Sequence, residues 1–285
     1  MEFPDGIPML AAVEEARSDD ELRDMLRYSD AFLESARHLT RRYRWGPGIN
    51  PLRNWSRRWE YPFVWQRLQR HAAERGSGAL SILDAGSGVT FFPYYLGERL
   101  PGAQVTCCDY NPSYGRLFER INALRGQAAV DFAQADLRRL PFHDGRFDAL
   151  YCVSVLEHTG DYERILDEFL RVLRPGGLAA ITFDISLDRR CEIHPEEARA
   201  LVAVICQRFG LPPAPHLAEL DRLSQADAIL TTDHVRATEP DLLPWRHPLL
   251  KSLYDLLHGR GWTGGFFSLT CYCLAAHAPR GAGET

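Results

Sequence analysis

The sequence lacks the cysteine spacings that announce metal fingers or redox pairs. Its seven cysteines include no CxxC pair, so neither a zinc ribbon nor a thioredoxin-type motif is written in it. Cys107, Cys108, Cys152, Cys191, Cys206, Cys271 and Cys273 read instead as reduced thiols, mostly within apolar strand-like runs. No window reaches the ~18 apolar residues of a membrane span. The opening "MEFPDGIPML" has an acid and two prolines where a secretion signal needs a basic start and an apolar run. A soluble cytoplasmic protein is therefore expected. Excess positive charge is also missing. A net charge of -5 and a pI near 6.1 disfavour broad binding to a phosphate backbone, although a local basic patch remains compatible with them. There is no internal repeat and no low-complexity tract. With 45% hydrophobic and 25% charged residues, wholesale disorder is excluded.

Two nucleotide signatures are absent as well. A dinucleotide fingerprint needs G-x-G-x-x-G, but counting from Gly86 and Gly88 the third position is Phe91. A bulky ring there opposes the close helix-strand packing that a pyrophosphate site requires. No G-K-[ST] follows, so a P-loop is excluded too.

What is present is a regular alternation from residue 80 to 186. Apolar "LSILDAG", "AQVTCCDY", "AAVDFAQAD", "FDALYCVSV" and "LAAITFDI" read as strands. Between them "TFFPYYLGERL", "PSYGRLFERINAL" and "DYERILDEFLRVL" carry helical spacing, with Ile165, Phe169, Val172 and Leu173 on one face. Arg174-Pro175-Gly176-Gly177 stops the last helix. The pattern predicts an α/β fold, a Rossmann-like doubly wound sheet that is mostly parallel with an antiparallel last strand in "FFSLTCYCLAAHA". Residues 1–75 form an N-terminal helical extension, a candidate lid. Its first helix is expected to start at a capping box of Ser18 and Glu21. Residues 76–285 form the main domain, with an insertion at about 187–247 and a further helix in "PLLKSLYDLLHGRGW".

Ligands of such sheets bind beyond the carboxyl ends of the strands. Asp84 precedes the turn of Gly86 and Gly88, where absent Cβ atoms allow close backbone approach. A carboxylate there would repel a pyrophosphate and attract an ammonium, which suits a nucleoside carrying an amino acid. Asp109 closes the second strand, where a carboxylate can accept both ribose hydroxyls. Asp136 closes the third, from which a carboxylate can accept a hydrogen bond from an adenine amine while Leu137 packs on the ring.

In combination and order, "LDAGSG", the Asp of "CCDYN", "ADLRRLPF", "FDALYCVSVLEH" and "FLRVLRPGGLAAITF" resemble the class I S-adenosylmethionine-dependent methyltransferases. The last two resemble the subgroup that includes ubiquinone-biosynthesis and many natural-product methyltransferases. The resemblance implies S-adenosylmethionine as cofactor and S-adenosylhomocysteine as product. It places Asp84, Ala85, Gly86 and Gly88 at the methionine end. Asp109, Tyr110, Asp136, Leu137 and Val153 fall around the nucleoside. It also sets Glu157 and His158 toward the acceptor, His158 being suited to take a proton near neutral pH. Proximity alone serves in many relatives, and a structural histidine is the competing reading.

Between Arg37 and Arg58 lie seven arginines (Arg37, Arg41, Arg42, Arg44, Arg53, Arg57 and Arg58) and no acid. This run is either a solvated surface or an arm that grips an anionic acceptor. Arg57, Arg58 and Tyr61 are its substrate-side candidates, with Tyr61 or Arg57 reaching the methionine carboxylate. Trp45, Trp55, Trp59, Tyr61 and Trp65 are candidate stacking walls. His194, His216, His234 and His247 lack metal-ligand spacing, so no metal is expected. Asp148 reads as a solvent-side residue at the start of strand four, and Phe91, Phe92, Tyr94 and Tyr95 as core. A small-molecule acceptor, a natural-product or sugar-type metabolite that is anionic where the arm grips it, is the leading expectation. An RNA methyltransferase and a non-catalytic cofactor-binding member are the alternatives. "CVSV" stands where amino-group methylation of bases would show Asn-Pro-Pro-aromatic, which lowers base methylation. Oligomeric state stays open.

Overall fold

The computed structural model describes residues 1–40, 51–76, 79–125, 130–191, 193–243, 252–253, 256–257 and 266–280. Helices α1 (Leu10–Ala16), α2 (Asp20–Ser35), α3 (Arg37–Thr40) and α4 (Arg57–Arg75) precede the sheet. Strands β1 (Ser81–Ala85), β2 (Gln104–Asp109), β3 (Val130–Gln134), β4 (Phe147–Val153) and β5 (Leu173–Ser186) pair in parallel. Strand β6 (Leu269–His277) runs antiparallel beside β5. The sheet order is β3-β2-β1-β4-β5-β6, so the expected doubly wound sheet forms, and its order reverses between β1 and β4.

Helices α5 (Phe92–Arg99), α6 (Ser113–Arg125) and α7 (Tyr162–Val172) make crossovers. The buried face of α7 carries the expected Ile165, Phe169 and Val172 together with Leu166, whereas Leu173, expected on the same face, opens β5 because the helix ends one residue earlier. Apolar side chains fill both faces of the sheet. Phe147, Phe169, Ile181 and Val202 lie on one side, and Trp59, Phe63, Phe92 and Tyr151 on the other. Burial of one such side chain contributes roughly 1.5 to 3 kcal/mol, so the sheet edge that holds the turns is rigidly backed. All seven cysteines are free, and all but Cys191 are buried. Among the described residues no helix is long and apolar enough to cross a membrane.

Local chemistry corrects three expectations. Helix α2 is capped by Asp19, whose Oδ1 accepts the N–H groups of Glu21 and Leu22 at 3.0 and 3.1 Å. Ser18 instead donates back to the carbonyl of Glu15. An ionised cap also complements the helix dipole, which a hydroxyl does not. Asp148 is buried, not solvent-facing. Arg75 and Arg174 pair with its carboxylate, and Ser81 N–H donates to it at 2.9 Å. Two guanidinium groups and a backbone donor compensate a charge that burial would otherwise expel. The insertion after β5 is more regular than its prolines suggest. It holds α8 (Pro195–Phe209), α9 (Pro213–Glu219) and α10 (Thr232–Thr238). The apolar spacing of Ala198, Leu201, Val202, Ile205 and Phe209 was the signal for α8. The helix expected from residue 248 onward lies largely outside the described residues.

Candidate functional site

At the end of β1 the chain turns through Gly86 (φ 81°) and Gly88 (φ 52°). The N–H groups of Gly86 and Ser87 both donate to the Cys108 carbonyl at 2.9 Å. Asp109 then ties the turn to the end of β2, its Oδ2 accepting Gly88 N–H at 3.0 Å and its Oδ1 accepting Asn111 N–H at 2.9 Å. The two glycines serve different needs. A Cβ on Gly86 would stand 2.6 Å from both γ-methyls of Val155, whereas one on Gly88 would meet nothing within 4 Å. Gly86 lets two segments pack, and Gly88 leaves the mouth of the turn open.

Asp84 lies beneath this turn, 5% exposed. Burial pushes its pKa up to about 8; the nearby Tyr151 hydroxyl opposes the shift, and the charge of Asp109 adds to it. Cys107 Sγ approaches Asp84 Oδ2 at 3.9 Å. Such a carboxyl regains its charge when a cation is brought to it. Tyr110 is 74% exposed beside Asp109, Leu137 is buried, and Val153 is half-buried. Asp136 is held by Arg138 through contacts of 2.9 Å (Nε to Oδ1) and 2.6 Å (Nη2 to Oδ2). These hydrogen bonds lower its pKa to about 2.

The ends of β4 and β5 carry a second polar cluster. Glu60 on α4 is fully buried. Its Oε1 accepts the hydroxyls of Ser154 at 2.8 Å and Thr182 at 2.5 Å, and its Oε2 pairs with Arg57. Ser154 Oγ in turn accepts from Arg57 at 2.6 Å, and Ser154 N–H donates to Thr182 Oγ1 at 3.2 Å. Ser154 adopts a positive φ of 48°, a strained conformation for a residue with a Cβ, which these bonds hold in place. Glu157, just beyond β4, is 3% exposed, and neither of its carboxylate oxygens has a hydrogen-bond partner among the described residues. Burial raises its pKa well above the usual range; the charge of Asp184 adds to this and that of Arg57 opposes it.

Residues 83–181 match the family described as a methyltransferase domain. The chain is 41% identical over 96 residues to a demethylmenaquinone methyltransferase of Thermus thermophilus, covering 34% of this chain and 43% of that one. It is 28% identical over 232 residues to a sterol 24-C-methyltransferase of Eremothecium gossypii, covering 75% and 60% respectively. Among solved structures, phosphoethanolamine N-methyltransferase 2 of Haemonchus contortus, in complex with S-adenosyl-L-methionine, aligns over 76% of this chain and 53% of that one. Its TM-score is 0.45 at 16% identity. Residues 83–181 of this chain form a methyltransferase domain. The chain spans 43% and 60% of the length of these two sequence relatives, less than two thirds of either.

Around the methyltransferase domain the predicted residues separate. Asp84, Ala85, Gly86, Gly88 and Asp109 converge on one turn. Glu157 and His158 are sequence neighbours with opposite surroundings, Glu157 enclosed and His158 exposed. Arg57 is committed to Glu60 and Ser154, and Arg58 donates to the Leu52 carbonyl at 3.0 Å and pairs with Glu239. Neither is the free guanidinium that an anion-gripping arm was expected to offer, because Glu60, one turn along α4, takes up Arg57 and the sequence-distant Glu239 reaches Arg58. Tyr61 is buried with its ring 4.5 Å from Phe92 and 5.7 Å from Phe91. Burial raises its phenol, while Arg57 opposes the shift and Asp84 adds to it. Trp55, just before α4, and Trp59 and Trp65 on it are buried in the core, and Trp55 and Trp59 also border a cavity beside α4. Trp45, Arg41, Arg42 and Arg44 lie outside the described residues. Sequence reasoning missed Glu60, Ser154 and Thr182. The lone acid of "RWEYPFVW" was the available signal.

Beside α4, between the N-terminal segment and the insertion, lies a cavity of about 290 Å³. Val13 and Leu22 from the N-terminal helices, Trp55, Trp59, and Leu230 and Val235 from the insertion help to line it, with Arg58 and His234 also at its surface.

Proposed function

We propose that this chain transfers a methyl group from S-adenosylmethionine to a small-molecule acceptor. The observation that supports this most is the convergence of Asp84, Gly86, Gly88 and Asp109 at the point where the strand order reverses. The donor set fits the cofactor. The open side of Gly88 admits a ligand to the backbone, and Asp84, enclosed without a cationic partner among the described residues, suits an ammonium. When bound, S-adenosylmethionine supplies an activated methyl on a sulfonium.

In this reading Asp84 attracts the ammonium, and Ala85 with the glycine turn lies along the methionine. Asp109 keeps lone pairs for ribose hydroxyls after accepting two backbone N–H groups. Tyr110 and Leu137 flank the base, Val153 lines the site, and Asp136 turns to the exocyclic amine. The Arg138 pair is exposed and hence weak, so Asp136 can exchange it. Glu157 and His158 serve the acceptor side, His158 as proton acceptor. Beyond that, the protein's contribution is alignment and exclusion of water.

Residues 1–75 and 187–247 are proposed to wall the acceptor. The cavity between them and the names of the relatives, a demethylmenaquinone enzyme and a sterol enzyme, support a small molecule of mainly apolar character over an anionic one. Titration of the pure chain with S-adenosylhomocysteine tests the cofactor. Saturable binding is expected, and none at millimolar ligand would end the reading. An acceptor screen read by S-adenosylhomocysteine release then tests turnover. With an acceptor in hand, His158→Ala is expected to lower kcat by roughly 100-fold or more; an unchanged kcat leaves alignment as the whole mechanism.

A further inference from the structure

We propose a separate site for a divalent transition-metal ion of the zinc class, formed by His71, Glu74 and His277. It lies at the opposite end of the strands from the glycine turn, because β6 runs antiparallel and its last residue pairs with Leu178 of β5, level with Ala149 near the start of β4. His71 and Glu74 are three residues apart on α4 and so share a face. His277 is the last residue of β6. Each side chain offers one ligand atom, and these atoms all lie within 4.8 Å of one another. The rings of the two histidines are 5.5 Å apart.

The chemistry of His71 favours ligation. Its Nε2 stands 3.0 Å from the backbone carbonyl of Asp148. A carbonyl only accepts, so this nitrogen carries the proton and Nδ1 keeps the lone pair. A ring oriented by a carbonyl in this way is the usual support of a metal-bound histidine. His71 is buried and therefore fixed, whereas Glu74 and His277 are exposed. Ligands ~2.1 Å from a shared ion sit closer together than the present spacing, and rotation of the two exposed side chains closes the gap.

The surroundings carry one positive charge in excess, because two guanidinium groups share one carboxylate, and the ligand set itself must offset it. Arg75 is the adjacent guanidinium, and it pairs with Asp148 at 2.8 Å, as Arg174 also does with the same carboxylate. Two neutral imidazoles and one carboxylate make a site of net charge -1. Nitrogen donors select zinc-class ions over magnesium or calcium, which take oxygen. Three protein ligands leave a position for water. The ion would tie α4 to the end of β6. The expectation of no metal rested on the spacing of histidines in the insertion, and these three ligands come from outside it.

Metal-stripped, tag-free chain is titrated with Zn²⁺ against a chromophoric chelator, and thermal unfolding is followed with and without Zn²⁺. The expected result is one ion per chain and a Tm that rises with Zn²⁺. Glu74→Gln and His277→Ala, both at exposed positions, should each weaken Zn²⁺ binding at least roughly 10-fold and remove the Tm rise. Their metal-free Tm and their S-adenosylhomocysteine affinity should stay as in the wild type. Absence of stoichiometric uptake at micromolar free Zn²⁺, or uptake unaltered in both variants, overturns the proposal. Because cofactor binding is read separately, this result and that of the methyltransferase reading stand apart.

Discussion

The hydroxyl of Thr182 on β5 donates to the carboxylate of Glu60 on α4, joining residues 122 positions apart at the ends of the central strands. Glu60 also receives Ser154 and Arg57, so one buried acid satisfies three groups from three elements. The helix before β1 is by this bond part of the wall of the site.

Removal of that acid is therefore costly. Glu60→Ala leaves Arg57 without its nearest counterion and two hydroxyls without an acceptor, and is expected to destabilise the chain by ~3 to 5 kcal/mol. Glu60→Gln keeps an acceptor and should cost less. Urea unfolding measures both, and an Ala variant within about 0.5 kcal/mol of wild type would refute the supporting role.

Asp109 performs two tasks, holding the glycine turn and accepting ribose hydroxyls in the proposed complex. Asp109→Ala should weaken S-adenosylhomocysteine binding by roughly 1 to 3 kcal/mol, read by calorimetry. Unchanged affinity removes the ribose assignment.

The two glycines should respond differently to a methyl group. Gly88→Ala adds a Cβ into open space, so its stability cost is the left-handed backbone alone, about 1 kcal/mol. Its loss of cofactor affinity should be larger, because that space is where the ligand is proposed to approach. Gly86→Ala drives a Cβ against Val155 and should cost more stability than Gly88→Ala. Paired unfolding and binding measurements decide this, and wild-type affinity in Gly88→Ala would count against the placement.

The pH dependence follows from Asp84. Its folded pKa of about 8 exceeds its ordinary value of 3.8. Between these values the folded chain holds a proton that the unfolded chain has lost. This group's contribution is thus fully present in acid and is lost as pH rises toward 8, with a slope approaching roughly 1.4 kcal/mol per pH unit. Asp84→Asn removes the slope. The difference in unfolding free energy between wild type and variant should shift steadily from about pH 5 to about pH 8, and a flat difference would contradict the buried carboxyl. Cofactor affinity should rise over the same range, as the ionised carboxylate becomes available to an ammonium.

The fold and half of the site were legible because they depend on near neighbours in the chain. Strand and helix periods, the helix stop after Val172, the glycine turn and the acids at successive strand ends are all properties of short windows. Asp84, Asp109 and Asp136 could be placed at one edge of a parallel sheet before any contact was known, because each closes a strand that runs the same way.

Short windows determine which residues stand at a strand end, but not what surrounds them. Asp148 and Asp109 are both aspartates at strand termini. One is enclosed by Arg75 and Arg174, and the other holds a turn. Arg57 and Arg58 are adjacent, yet Arg57 finds Glu60 on its own helix while Arg58 reaches Glu239 in the insertion. The sequence by itself determined the sheet, the order of its crossovers and the residues at the glycine turn. Only the tertiary structure decided the partners of the buried charges, the Glu60, Ser154 and Thr182 cluster, and the meeting of His71, Glu74 and His277. Periodicity is a local property of the backbone, whereas the fate of a charge depends on which distant side chains packing brings within a few ångströms of it.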